Sequence, residues 1–556
     1  MSTIESIDLN VRSYRSALKS SLEITINSLT NSHLKMDSIL HPYGNKPDVV
    51  DISALVYTLL RLPQSIDKTK LIVMGQSPEV FENGGYHNIT SWQKCPPTAR
   101  RAVRYYHPIT QTIASIISSI TDVDDIVNSL VAYQSEWNKL HRLLKLHYPH
   151  LLQLKKAIKN KSIVETLNIS PEDWQNLCLA LGKNCSLRFT RIYRLHHNLR
   201  LRLLAGSWID YTKTTQHWWK NIATSTIGLH LPHRPVYFVS SNTHSLLNII
   251  TGQAVFHQKE LLRLAKNHHP DLDSLWQNIQ NSESFLHQND FLYYLSKYMA
   301  DNKKYQQDWK NLQNKLNILS IPPTHFLNST LQIFPISSLV KSKHLDSRLK
   351  ITNAPKLSRA NALIINIDYP LGFAAYHVLS EVLENINDVR GVYVLGKAAV
   401  LNSEIGDLEI PRLAFDEHTQ NSYIFKNCFN SFFPFPNNQG SILTNQKSVS
   451  VLGTFLENEA LIAKYSENNL TVMEMETGPY LNAVTEACYD LQTPRDTIVD
   501  LNSAPFDLGI INYTSDTPYS QAKNLGAGSL NLSGLEPVYL GSLAILQRII
   551  NLEEYK

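Results

Sequence analysis

Thr471-Val472-Met473-Glu474-Met475-Glu476-Thr477-Gly478-Pro479-Tyr480 decides the reading of this chain. Three β-prone residues lead into two carboxylates that flank a methionine, and Gly-Pro then opens a helical pattern. Side chains alternate between faces in an extended segment, so Glu474 and Glu476 share one face and Met475 takes the other. Carboxylates at a strand end, just before a helix, stand where open α/β sheets hold their ligands. The plain alternative is a charged strand-to-helix turn.

Three further stretches carry the same texture. Val394-Leu395-Gly396-Lys397-Ala398-Ala399-Val400 runs an apolar strand into a glycine loop. Ile405-Gly406-Asp407-Leu408-Glu409-Ile410-Pro411 is a second strand entered through Gly-Asp, and Tyr513-Thr514-Ser515-Asp516 ends a third strand on Ser-Asp. In this order these segments resemble the purine nucleoside phosphorylase and nucleosidase superfamily, over roughly residues 325–556. The resemblance implies a phosphorylase-like mixed sheet flanked by helices, and it implies roles. Glu476 would accept hydrogen bonds from the ribose hydroxyls, Met475 would pack under the sugar, and Glu474 would support them. Asp516 would be the general acid that protonates the departing purine near N7, oriented by Ser515. Phe455 or Leu456, in Gly453-Thr454-Phe455-Leu456, would floor the base. Such cleavage needs a neutralised leaving base and a held, cation-like ribose, which is work for carboxyl groups.

The nucleophile is where the pattern departs. Phosphorolytic relatives hold phosphate with arginines in the first turn and around the glycine loop. Here those segments read Asp368-Tyr369-Pro370-Leu371-Gly372 and Leu395-Gly396-Lys397, with no arginine. Asp368 would repel phosphate, and Lys397 offers a point charge rather than a forked clamp. Hydrolytic relatives activate water with a first-loop glutamate; none stands there, so Asp368 is the substitute to test. His418, in Phe415-Asp416-Glu417-His418-Thr419, is a further polar candidate at the pocket rim. Three readings follow, in order: a nucleosidase-like hydrolase, a non-catalytic nucleoside or nucleotide sensor, and a phosphorylase with an anion site rebuilt on Lys397.

Composition bounds the rest. A chain of 556 residues exceeds one core. Its net charge of +4 carries no strong electrostatic instruction, so nucleic acid is not an expected partner. Five scattered cysteines give neither a disulfide framework nor a zinc spacing. No metal and no cofactor is expected. Without a signal-like N-terminus or a membrane-length apolar run, the expectation is a cytoplasmic protein with no membrane association. Relatives of the superfamily assemble, so a homo-oligomer acting on a purine nucleoside or nucleotide is implied.

Residues 1–325 read as a mainly α-helical region of unknown role, with a small α/β element near 235–255 and, by its size, a regulatory partner surface. Helical spacing is predicted from Val11 to Leu29, through Ile52–Leu60, across Ile109–Leu144, and from Ile163 to Leu181, with Ser170-Pro171-Glu172-Asp173 as a start signal. Pro96-Pro97-Thr98 reads as the start of a basic helix bearing Arg100, Arg101 and Arg104. Leu71–Gly75 reads as a short strand. Arg188, Arg191 and Arg194 line one helix side, and a solvated face paired with acidic neighbours is the preferred reading. Ser241, Asn242 and His244 follow a strand beginning at Pro235 and are candidates for a second small-molecule site, against a capped βα junction. His268-His269-Pro270-Asp271 is rejected as a metal site because adjacent histidines diverge on a helix. From Ala362 the strands Ala362–Ile367, Gly391–Gly396, Ser448–Gly453 and Leu508–Tyr513 alternate with helices, which makes residues 326–556 an α/β domain.

Overall fold

The computed structural model describes residues 3–555 apart from 99–101, 183, 269, 282, 283, 285, 300, 325, 439, 490–494 and 521–533. Arg100, Arg101 and His269 therefore lie outside the described residues.

Two sheets organise the chain. The first is built from β1 (Ile24–Thr25), β2 (Leu71–Gly75), β3 (Gln93–Lys94), β4 (Arg104–His107), β5 (Thr112–Ile116) and β6 (Arg200–Leu203), in the order β1-β6-β2-β5-β4-β3. Its centre is the apolar run of β2, buried at every position and parallel to both β5 and β6. Where the sequence reads as mainly helical, residues 24–203 thus enclose a six-stranded sheet. Two expected helices give way to it. Arg104–His107 is a strand because Tyr105 and Tyr106 pair with Ala114 and Ile113 across an antiparallel ladder. The helix expected from Ile109 begins only at Ile120, after the buried strand Thr112–Ile116, and runs to His147. Asp122 supplies its N-terminal acceptor, taking hydrogen bonds from Ser118 N and Ser119 N.

The second sheet has eleven strands: β7 (Pro235–Ser241), β8 (Leu319–Ile321), β9 (Leu331–Pro335), β10 (Leu363–Asp368), β11 (Asp388–Val400), β12 (Leu408–Asp416), β13 (Asn421–Ile424), β14 (Ile442–Ser450), β15 (Val472–Glu474), β16 (Ile498–Asp500) and β17 (Asp507–Asp516). β7 lies between β10 and β11, parallel to both. The strand expected as part of a separate small element before residue 255 is thus a central strand of this sheet. Helices cover both faces. Leu535–Tyr555 packs with Leu395, Ile410 and Ile511, while Ala374–Asn385 and Thr477–Tyr489 cover Val392, Val394 and Ile510. A third core joins the halves: Val449, Val451, Leu456, Ile462, Met473 and Met475 share it with Leu29, Leu55, Leu130 and Leu201. No helix among the described residues is long and apolar enough to cross a membrane.

Candidate functional site

Glu474 ends β15 and turns its carboxylate back over the first turn of the helix Thr477–Tyr489. One oxygen accepts from Glu476 N at 2.7 Å and Thr477 N at 2.6 Å, and the other from the Ser450 hydroxyl. Ser450 Oγ in turn accepts from Gly478 N at 2.6 Å. These are the backbone donors a helix start leaves unmet, so the sequence places a carboxylate where an N-cap is needed. Burial pushes the Glu474 carboxyl up from its ordinary value, against the lowering effect of those donors.

Glu476, one pleat on, accepts from Gly372 N at 3.0 Å, which ties the motif to the turn after β10. Gly372 has φ +52°, and a Cβ there would lie 2.6 Å from Thr121 Oγ1, so glycine is required twice over. Thr121 Oγ1 also accepts from Phe373 N at 3.0 Å. The first-turn segment is therefore seated on the helix Ile120–His147 of the N-terminal half. Asp368 ends β10, half-buried.

The sheet brings the acid motif to the same place. Ala399 of β11 has Met473 as its partner on one side and Asp516 on the other. The β11–β17 register slips between Ala398 and Ala399, and such a bulge re-aims the side chain beside it. Asp516 is buried and accepts from Thr517 N at 2.9 Å, while Ser515 Oγ donates to Ala398 O at 3.2 Å. Ser515 thus anchors the strand end rather than contacting the aspartate. His418 is oriented by Asp416, with Nδ1 2.9 Å from Oδ1, and lies against the Phe373 ring at 4.8 Å; its Nε2 is buried with no hydrogen-bond partner.

Other expected residues do not converge there. Phe455 meets Tyr57 edge-on at 5.1 Å and His33 at 5.7 Å. The surrounding loop is held by Tyr57 Oη and Thr454 Oγ1 at 2.6 Å, Ile39 N donating to Glu457 O at 3.0 Å, and Asn458 Nδ2 donating to Met36 O at 3.1 Å. Leu456 and Met475 belong to the core shared with the N-terminal half. Lys397 is exposed, and alternation along β11 points it away from the Gly396 face. In the N-terminal half, Asn242 caps the helix Ser245–Thr251 by accepting from Ser245 N at 2.7 Å, as a βα junction requires. Arg188 and Arg191 both pair with buried Asp67.

Two residues went unremarked in the sequence. Glu409 and Asn512 are 0 % and 1 % exposed, stand directly opposite each other across β12 and β17, and make no side-chain hydrogen bond. Asn512 also lies over Gly396, where a Cβ would come within 2.7 Å of its Oδ1. A signal was present: Glu409 interrupts Leu408 and Ile410, and Asn512 follows Ile510-Ile511, in strands covered on both faces. Burial pushes the Glu409 carboxyl up to about 7, offset in part by the Ser403 hydroxyl, which lies near but outside hydrogen-bond geometry. No group of three metal-binding side chains occurs among the described residues.

The profile of a family of unknown function, DUF6909, matches residues 26–551. The chain belongs to that family. No curated protein matches the sequence of this DUF6909 member. Solved structures similar to it in part include uridine phosphorylase from Schistosoma mansoni, 10% identical with TM-score 0.29 over 58% of this chain and 91% of that one. S-adenosylhomocysteine nucleosidase from Streptococcus pyogenes is 11% identical with TM-score 0.28, over 56% of this chain and 97% of that one. A 5'-methylthioadenosine/S-adenosylhomocysteine nucleosidase from Borrelia burgdorferi, described as putative and bound to adenine, is 10% identical with TM-score 0.28, over 57% and 99%.

Proposed function

We propose that residues 326–556 bind a purine nucleoside or nucleotide and cleave its N-glycosidic bond. Asp516 is the general acid, Glu476 holds the ribose, and Glu474 fixes Glu476 by capping the helix that follows it. The supporting observation is the double pairing of Ala399, which sets the end of the Ser-Asp strand two strand spacings, about 10 Å, from the Glu-Met-Glu strand. A nucleoside spans such a gap, with its base at the acid and its sugar at the glutamate. Proton donation to the base makes it a neutral leaving group as the ribose gains positive character, and Glu476 stabilises that ribose through its hydroxyls. Homo-oligomeric assembly, a cytoplasmic location and a regulatory role for residues 1–325 belong to the same proposal.

A second reading, a nucleoside or nucleotide sensor without chemistry, draws on one observation. Phe455 and Leu456, the proposed base floor, are 2 % exposed and covered by residues of the N-terminal half.

Chromatographic assay of free base from a panel of purine nucleosides and nucleotides separates these readings. Release without phosphate, lost in Asp516→Asn, is the expected result. Release only with phosphate would make the protein a phosphorylase. Tight nucleoside binding in calorimetry with no release under any condition would make it a sensor.

A further inference from the structure

Far from the carboxylates, the helices Ile163–Thr166, Pro171–Leu181 and Cys185–Arg194 wall an open groove of about 1220 Å³. Its lining mixes apolar Val164 and Trp174 with polar Lys161 and Gln175, and two thiols stand in it side by side. The helix Pro171–Leu181 stops at Gly182, whose N–H donates to Cys178 O at 3.1 Å, and Gly182 O accepts from Cys185 N at 3.0 Å. Those bonds return the chain on itself. Cys178, in the last turn of one helix, therefore meets Cys185, the first residue of the next. Cys185 Sγ donates to Cys178 Sγ at 2.9 Å, and both residues are half-buried on the groove wall.

Two sulfurs so placed need to approach by only about 1 Å to reach the bonding length of roughly 2.05 Å. The surroundings also favour a thiolate, the form that reacts. Cys178 is held below the ordinary thiol value, first by the hydrogen bond it accepts from Cys185 and, against burial, by the Lys161 charge. Cys185 is held above it, because it carries the proton the pair shares. Once that proton leaves, the start of a ten-residue helix and the nearby Arg188 charge both stabilise a Cys185 thiolate. Burial pushes up the other three thiols, Cys95, Cys428 and Cys488, so the pair is the reactive one. The groove gives it access and leaves room beside the sulfurs for more than a peroxide. In a reducing compartment a disulfide between such thiols is transient rather than structural.

We propose that Cys178 and Cys185 are a reversible redox pair, in which Cys178 attacks a small organic disulfide that enters the groove and Cys185 resolves the product. The inference is independent of the cleavage reading. In the first step the Cys178 thiolate bonds to one sulfur of the incoming disulfide, whose S–S bond breaks with its electron pair leaving on the other sulfur. That leaving thiolate takes the Cys185 proton. In the second step the Cys185 thiolate bonds to Cys178 Sγ, and the mixed disulfide breaks with its pair leaving on the remaining small thiolate, which takes a proton from solvent. Two protein thiols are oxidised to one disulfide, and one small disulfide is reduced to two thiols. An excess of small thiol runs both steps backwards.

The test incubates the reduced full chain with oxidised glutathione and reads intact mass and a non-reducing peptide map. The wild type should lose two hydrogens and keep no adduct, its map should join residues 178 and 185, and dithiothreitol should restore both thiols. Cys185→Ser should stop at the mixed disulfide, with one glutathionyl group on Cys178. Cys178→Ser should react on the order of 10-fold more slowly, because its remaining thiol has lost the thiolate partner. Circular dichroism on each variant separates lost reactivity from lost fold, and the wild-type map decides the pairing without either variant. An unmodified wild type overturns the inference, as does modification of Cys95, Cys428 or Cys488 ahead of the pair. Closure in urea as fast as in the native chain also overturns it, since the fold would then contribute nothing. Closure by hydrogen peroxide but not by oxidised glutathione overturns the assignment of a small disulfide as the substrate.

Discussion

Glu474 and Glu409 are both carboxylates of the same sheet, both buried and both pushed up by burial, and they differ in their hydrogen bonds. Glu474 engages both oxygens with two backbone N–H groups and a hydroxyl, and its energy goes into starting a helix. Glu409 engages none, beside an Asn512 in the same state. The first has the chemistry of a structural cap, and the second is a buried carboxyl with neither oxygen hydrogen-bonded. The contrast separates a carboxylate committed to a helix start, beside the loop that carries Glu476, from one whose lone pairs are uncommitted.

The largest expected effect tests the fabric that both sit in. Residues 326–556 expressed alone lose β7 from between β10 and β11, together with the shared core around Met473 and Met475. That fragment should give no cooperative unfolding transition; a well-folded fragment with native circular dichroism would break the single-sheet view. Next, Glu474→Ala should cost about 3 kcal/mol in urea denaturation, because it strands two helix N–H groups and the Ser450 hydroxyl. A loss below about 1 kcal/mol would erase the distinction between the two carboxylates.

Glu409→Leu should go the other way, with a stability gain of about 1–3 kcal/mol at pH 8. The sign follows from linkage. A carboxyl whose folded value is raised to about 7 favours the fold fully below its unfolded value, and that advantage is lost as pH rises through about 7. The gain over wild type should therefore shrink as pH falls from 8 to 5; a gain that grows instead would refute the orphaned-carboxylate account. Smallest is Tyr57→Phe, which removes the contact with Thr454 Oγ1 and should cost about 1 kcal/mol. If it instead raises nucleoside affinity, the N-terminal half holds the 454–458 loop shut.

The elements that were legible in the sequence are those whose pattern is local. The apolar runs of β10, β11 and β17 announce strands covered on both faces, and Ser170-Pro171 marks its helix to the residue. Gly406, at φ +106°, and Asp407, accepting from Ser441 N at 2.6 Å, show why a Gly-Asp pair suits the entry to β12. What stayed hidden was decided at long range. Arg104–His107 becomes a strand only because β5 lies beside it, and Phe455 is turned from a base floor into a buried contact by Tyr57, which lies hundreds of residues earlier. The candidate site divides in the same way. The Glu-Met-Glu carboxylates and Asp516 could be read from their motifs. Glu409 sat inside a quoted motif unremarked, because its meaning depends on Asn512 across the ladder.

The placement of β7 also constrains how the molecule is made. A ribosome delivers Pro235–Ser241 long before Leu363 and Asp388, the starts of the two strands that flank it. At about 5–20 residues per second, both edges of an apolar strand stay unpaired for many seconds of synthesis. The nascent chain should therefore depend on holding chaperones until β11 emerges, and slowing translation between residues 242 and 388 should lower its soluble yield.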